Sequence, residues 1–336
     1  MAAIVSGMVM LVSGLIAAVM PAAGAGSALV QRASSAAGMS TAVRAAAALD
    51  PDDIAMTFSD SSPCVSPCLR QGLTYERVSS ALNPDGGTQP YALDLYRSAR
   101  TPKRRAAVVV LLHGGGFVSG DRTQLRSVAS ALARAGFLVA SIDYRLVPEA
   151  RNHGAGIVSD LDLIPAAEEA AADAVRAMQW IRAHRRTLGA TADRQRYAVG
   201  GYSAGALTAL RVAVRGGDRS TPSSRRWRVG AGFAFSGTEC GSWTKAYDCT
   251  AAYDRSDAPI LLFHGETDTI VPAAWARQTC EAAHARGGGC TGYFYPGQDH
   301  FWPNGTIFGG GSGLGSAHPA VVPALVAFLR RQLAEG

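Results

Sequence analysis

From residue 72 to the carboxyl end, short apolar runs of strand length alternate with longer helical patterns, and neither an internal repeat nor a long linker interrupts them. That alternation limits the fold more than any other feature. Parallel strands need a crossover of helical length between them, and a sheet connected in this way has both faces covered. Residues 106–112 and 137–142 are continuous runs rich in Val, Ile, Leu and Ala, as expected of strands buried on both sides. A helix over 124–135 lies between them and ends at Gly136. Two leading strands, 73–79 and 91–97, flank the turn-rich Asn83-Pro84-Asp85-Gly86-Gly87.

A helix over 165–184 is predicted with Pro165 in its first turn, Glu168 and Glu169 near its start, and Arg182, Arg185 and Arg186 near its end, which matches the helix macrodipole. Strands then follow at 197–200, 231–235, 260–264 and 291–295, and helices at 204–214, 273–285 and 319–333. The predicted class is α/β, a doubly wound, mostly parallel sheet of eight strands. Two stretches break the alternation, 147–164 and 238–258. Both fall where parallel strands end, which is where ligands bind in open α/β sheets, so they are candidate lid and pocket walls.

With 48% hydrophobic and 17% charged residues in 336, the chain is not disordered and supplies a large core for one domain over 61–336. Residues 1–31 carry no charged side chain. An apolar stretch over 2–20, followed by Pro21-Ala22-Ala23-Gly24-Ala25, has the form of a secretory signal cut after Ala25. The expectation is a signal peptide over 1–25, a loose Ala-, Ser- and Gly-rich arm over 26–60, and a secreted or periplasmic product without stable membrane insertion. An uncleaved anchor is the alternative, since about 20 apolar residues can span a bilayer; Gly7, Gly14 and the small-residue exit favour cleavage.

The net charge of +6 comes from short runs such as Lys103-Arg104-Arg105 and Arg225-Arg226, without interleaved aromatics. A nucleic-acid partner would need a basic stripe on one face and is not expected. The six cysteines fall in three sequence-local pairs, and short separations favour Cys64 with Cys68, Cys240 with Cys249, and Cys280 with Cys290. No C-x-x-C pair or H-E-x-x-H couple suggests a metal site.

Gly201-Tyr202-Ser203-Ala204-Gly205 follows a predicted strand and opens a predicted helix, the context of a nucleophile elbow that exposes a serine Oγ above the sheet. At the end of another strand, His113-Gly114-Gly115-Gly116-Phe117 would let backbone N–H groups approach a ligand. The amides of Gly115, Gly116 and Ala204 are the predicted oxyanion hole. A serine needs a histidine base oriented by a carboxylate, and after the elbow these should come in the order acid, then histidine. Asp268 follows the strand at 260–264 and His300 follows the last strand, so Ser203, Asp268 and His300 are the predicted triad. Glu266 and Asp299 are alternative acids. His113 and His264 end strands and read as loop holders, while His153, His184, His284 and His318 lie on predicted helices or loops. Phe117, Tyr202 and Trp302, and also Phe301, are candidates for an apolar pocket, with core packing as the other reading.

These residues resemble the α/β-hydrolase superfamily, in particular its esterase and lipase branch of hormone-sensitive-lipase-like enzymes and carboxylesterases. The resemblance spans about 72–333 and rests on His113 to Phe117, on Asp143-Tyr144-Arg145-Leu146-Val147-Pro148-Glu149, on the elbow, and on the acid and histidine positions. The acid segment 265–272 is instead similar to that of dienelactone hydrolases, feruloyl esterases and prolyl-oligopeptidase-type hydrolases, and no large helical cap is evident. The resemblance implies a carboxylic-ester hydrolase working through an acyl enzyme, with no metal or organic cofactor, and Asp143, Tyr144 and Arg145 as braces of the oxyanion loop. Polymer or plant-wall ester hydrolysis (polyester, feruloyl or acetylxylan esters) is an alternative, and a noncatalytic hydrolase-fold binding protein is a rival of another class.

Overall fold

The computed structural model describes residues 68–98, 105–148, 151, 158–215, 227–241, 249, 253–302 and 321–334. The expected signal peptide and arm, Cys64, His153, His318, and parts of both predicted insertions lie outside the described residues. Eight strands form one sheet: β1 (Cys68–Val78), β2 (Gln89–Arg97), β3 (Val108–Leu112), β4 (Leu138–Ile142), β5 (Tyr197–Tyr202), β6 (Ala231–Phe235), β7 (Ile260–Gly265) and β8 (Cys290–Tyr295). Their order is β1-β2-β4-β3-β5-β6-β7-β8. β1 pairs antiparallel with β2, and β2 with β4; every later pairing is parallel.

The apolar runs form strands because each has two faces to bury. Val108, Val110 and Leu112 of β3 enter one core cluster, while Val109 and Leu111 enter the other. On the first face lie α2 (Asp160–Ala183), α3 (Ala204–Arg215) and α4 (Ala273–Ala285); on the second lie α1 (Arg126–Arg134) and α5 (Val321–Gln332). The buried side of α2 is mostly alanine, including Ala166, Ala167, Ala170, Ala171 and Ala174. Side chains this small let the helix lie close on its neighbours.

α2 differs from the sequence expectation. It starts at Asp160, with the Ser159 side chain accepting a hydrogen bond from the Asp162 amide, so Pro165 sits inside the helix and not in its first turn. The first four helical amides have no intrahelical partner, so a proline just beyond them removes only one early bond. The capping serine therefore fixes the start, and residues 160–164 of the first predicted insertion are helix. Two expected disulfides are present, Cys240–Cys249 and Cys280–Cys290, with Cα atoms 5.5 and 5.2 Å apart. Cys68 is also disulfide-bonded.

The topology locates the site. From β3 the chain crosses to β4 on one side and then returns to place β5 on the other. The carboxyl ends of β3 and β5 thus flank a switch point, where connections diverge and leave a crevice. His113 to Phe117 leaves β3 there, and Ser203 leaves β5.

Candidate active site

Ser203 is the single residue between β5 and α3, and it takes φ 53°, a left-handed conformation that costs a non-glycine residue roughly 1–3 kcal/mol. Its amide donates to the Phe235 carbonyl at 2.9 Å, and its carbonyl accepts from Ala206 and Leu207. The sharp turn brings α3 hard against β3. A Cβ on Gly205 would stand 2.3 Å from both the Leu112 and His113 carbonyl oxygens, so only glycine fits. Ser203 Oγ lies 2.9 Å from His300 Nε2.

On the other side of that ring, His300 Nδ1 lies 2.8 Å from Asp268 Oδ2. Asp268 is held by the tight turn after β7: its Oδ1 accepts from the Ile270 and Val271 amides at 2.9 and 2.7 Å. Burial pushes the Asp268 carboxyl upward, but hydrogen bonds from His264, His300 and the Val271 amide outweigh it and hold the group well below the usual carboxylate range. The His300 loop is braced from β7 as well, since Thr267 donates through its amide and its hydroxyl to the Gln298 carbonyl at 2.9 and 2.8 Å. Tyr202 Oη donates to the His300 carbonyl at 3.2 Å, with its ring tilted against the imidazole. The alternative acids face elsewhere: Glu266 pairs with Arg277 at 2.6 Å, and Asp299 accepts from the Phe301 amide at 2.8 Å.

In the loop after β3, Gly115, Gly116 and Phe117 all have positive φ. The carbonyls are tied down: Gly115 accepts from Val118 and Ser119, Gly116 from Val158 at 3.0 Å, and Phe117 from Val147 at 2.8 Å. The two flanks of the 147–164 stretch therefore brace this loop. No hydrogen bond from the Gly115 or Gly116 amide occurs among the described residues, and Ala204 opens α3, where a helix leaves its first amides unpaired. His113 holds the loop. It stacks on Tyr144 with ring centroids 4.2 Å apart, Tyr144 Oη donates to the His113 carbonyl at 2.7 Å, and burial lowers its basicity. Asp143 instead takes the amide and guanidinium of Arg122, and Arg145 reaches from the same segment to Asp173 of α2.

Of the aromatic candidates, Phe117, Tyr202 and Trp302 are 1%, 3% and 4% exposed and belong to the core clusters, whereas Phe301 is 54% exposed beside His300. Packing against Tyr144 and Tyr295 accounts for Phe117 and Trp302. Two groups at the site were not predicted to act there. Gln124 Oε1 accepts from the Gly114 amide at 2.6 Å. His264 does hold a loop, with Nε2 at 2.7 Å from the Val271 carbonyl, but the same nitrogen also lies 3.2 Å from Asp268 Oδ2. The available signal was its spacing of four from Asp268 across a tight turn.

A family model described as an alpha/beta hydrolase fold matches residues 109–236, a span that includes Ser203 and ends before Asp268 and His300. Esterase LipI of Mycobacterium tuberculosis is 37% identical over 140 residues, 41% of this chain and 38% of that protein. Esterase LipC of the same organism is 27% identical over 290 residues, 75% of this chain and 66% of that protein. The chain thus spans less than two thirds of either relative. Among solved structures, Thermogutta terrifontis esterase 2 phosphoramylated by tabun matches with a TM-score of 0.58 at 22% identity, over 82% of this chain and 99% of that one. The native form matches with a TM-score of 0.57 at 22% identity, over 78% of this chain and 92% of that one.

Proposed function

From the premise that this chain has the α/β-hydrolase fold, we propose that it is a serine carboxylic-ester hydrolase. The observation that carries the reading is the line of contacts from Ser203 Oγ to His300 Nε2 at 2.9 Å and from His300 Nδ1 to Asp268 Oδ2 at 2.8 Å. In the proposed reaction Ser203 Oγ attacks the ester carbonyl while His300 Nε2 takes its proton, and Asp268 orients the ring and stabilises the imidazolium. The carbonyl π electrons move to oxygen, where the amides of Gly115, Gly116 and Ala204 receive the charge; each such donor is worth roughly 10²- to 10³-fold in rate. Collapse of this intermediate expels the alcohol, which takes the proton from His300. Water, deprotonated by the same ring, then releases the acid and restores Ser203. As written, the cycle needs no metal or organic cofactor. Export belongs to the proposal and is supported by the Cys240–Cys249 and Cys280–Cys290 bridges, which persist in oxidising compartments.

The esterase names of the mycobacterial relatives support the reaction class, and the tabun adduct of the Thermogutta enzyme is the kind of product an activated hydroxyl gives with an organophosphorus reagent. The test is a fluorophosphonate probe alongside nitrophenyl acyl esters of graded length. Ser203→Ala is expected to abolish labelling and to lower kcat/KM by roughly 10⁴-fold or more. Labelling and turnover that survive the substitution would overturn the assignment of the nucleophile, and an inert wild-type protein would favour the binding-protein reading.

A further inference from the structure

We propose that His264 is a positioning residue of this site, clamping Asp268 through Nε2–H so that the carboxylate keeps its face toward His300. The proposal rests on the ester-hydrolase reading for its kinetic consequence, but its geometric content stands apart from it.

The protonation pattern follows from the neighbours. His264 Nε2 faces two oxygens, the Val271 carbonyl at 2.7 Å and Asp268 Oδ2 at 3.2 Å. Neither can donate, so this nitrogen must carry the proton. The ring is fully buried, and its other nitrogen, Nδ1, has no hydrogen-bond partner among the described residues.

The Nε2 contact completes the set around Asp268. Oδ1 takes the Ile270 and Val271 amides, and Oδ2 lies 2.8 Å from His300 Nδ1 and 3.2 Å from His264 Nε2. The two imidazoles thus share one carboxylate oxygen. Without His264, Oδ2 would keep a single partner, and that partner belongs to a ring that must gain and lose a proton during turnover. Removing that contact lets Oδ2 shift within the arc that the two amide bonds on Oδ1 allow. Partners that orient metal ligands from behind contribute about 10- to 100-fold when lost, and an effect of the same order is expected for a carboxylate that orients a catalytic imidazole.

The experiment compares His264→Gln, which keeps an N–H donor at the same reach, with His264→Leu, which keeps bulk and loses the donor. The first readout is the downfield proton resonance of the His300 Nδ1–H···Asp268 bond, assigned by its disappearance in Asp268→Asn and recorded without substrate. It is expected to shift or broaden in His264→Leu and to stay near the wild-type position in His264→Gln. The second readout is kinetic: kcat in His264→Leu is expected to fall about 10- to 100-fold at unchanged KM, with the Gln variant within about threefold of wild type. A folding defect would reduce active-site titre for both variants and leave the resonance of the folded fraction in place, so a resonance unmoved by Leu overturns the clamp. Equal losses in Gln and Leu with an unmoved resonance do the same. A wild-type protein that turns over no ester would instead overturn the hydrolase reading, with the resonance still deciding the clamp.

Discussion

Around Ser203 the chain is held by backbone against backbone, whereas around Asp268 and His300 it is held by side chains bonded to loop amides and carbonyls. On the serine side the space beside Gly205 is closed by the Leu112 and His113 carbonyls, both part of the central strand and its outlet. On the acid–base side, Asp268 is fixed by two amides and two imidazoles, and the His300 loop hangs on Thr267 and Tyr202. Backbone sterics tolerate no substitution but leave nothing to titrate. Hydrogen bonds are adjustable one at a time, and they respond to pH. On the proposed reading, the half that would supply the nucleophile is therefore rigid by construction, and the half that would move the proton is held by the groups that set its charge.

The largest expected effect separates the two halves by a single methyl group. Gly205→Ala places a Cβ 2.3 Å from two backbone oxygens that cannot give way without moving β3. Overpacking of this kind costs roughly 3 kcal/mol or more and should displace both Ser203 and the Ala204 amide. The expected loss in kcat/KM is about 10³-fold, with a clear drop in Tm, checked by nitrophenyl ester kinetics and thermal unfolding. Gly265→Ala makes a similar clash on paper, 2.3 and 2.5 Å from the Gln298 and Asp299 carbonyls. Those oxygens belong to a loop that turns at Gly297 and is held at Gln298 by the two Thr267 bonds and not within a strand, so it is expected to yield before β7 does. Here kcat should fall about 10²-fold, as a displacement of His300 by about 1 Å would cause, with Tm nearly unchanged. Equal losses of Tm in the two variants would erase the distinction between the halves.

The same division explains how much the sequence disclosed. The elbow and the glycine loop are legible because backbone contact demands glycine, and glycine at a fixed offset from a strand is a strong local signal. Strand β6 and helix α4 match their predicted bounds because alternation and flanking turns mark both ends. Asp268 and His300 are expected beside Ser203 from their order in the chain and their places beyond β7 and β8, and the structure brings the three side chains within 2.9 Å of one another in sequence Ser203–His300–Asp268. The clamp by His264 was not legible as such, because the sequence shows only a histidine ending a strand; its second contact depends on how tightly 265–272 turns. The start of α2 was misplaced for a related reason. Pro165 is a strong first-turn residue in isolation, but Ser159 caps the helix earlier. Phe117, Tyr202 and Trp302 sit next to motif residues in sequence, yet strand and turn geometry sends their rings into the core, and only Phe301 emerges.

The smallest expected effect concerns charge. Burial alone would raise the Asp268 carboxyl, and the hydrogen bonds from His264, His300 and the Val271 amide reverse this, so its folded pKa lies below the unfolded value of about 3.9. A depressed acid contributes stability that is present above the unfolded pKa and is lost as pH falls through the folded one. Wild type should therefore exceed Asp268→Asn in Tm by a constant margin from about pH 8 down to about pH 5, roughly 2–4 °C if about 1 kcal/mol is at stake in a domain of this size. Below about pH 4 the margin should shrink as the unfolded wild-type chain takes up a proton at Asp268 that the folded one resists, while the asparagine variant has no such group to titrate at this position. Thermal unfolding across that range measures it. A margin that stays constant into acid would mean that the donors around Asp268 fix its shape and not its charge, and the acid–base half would then be held by packing, as the serine half is.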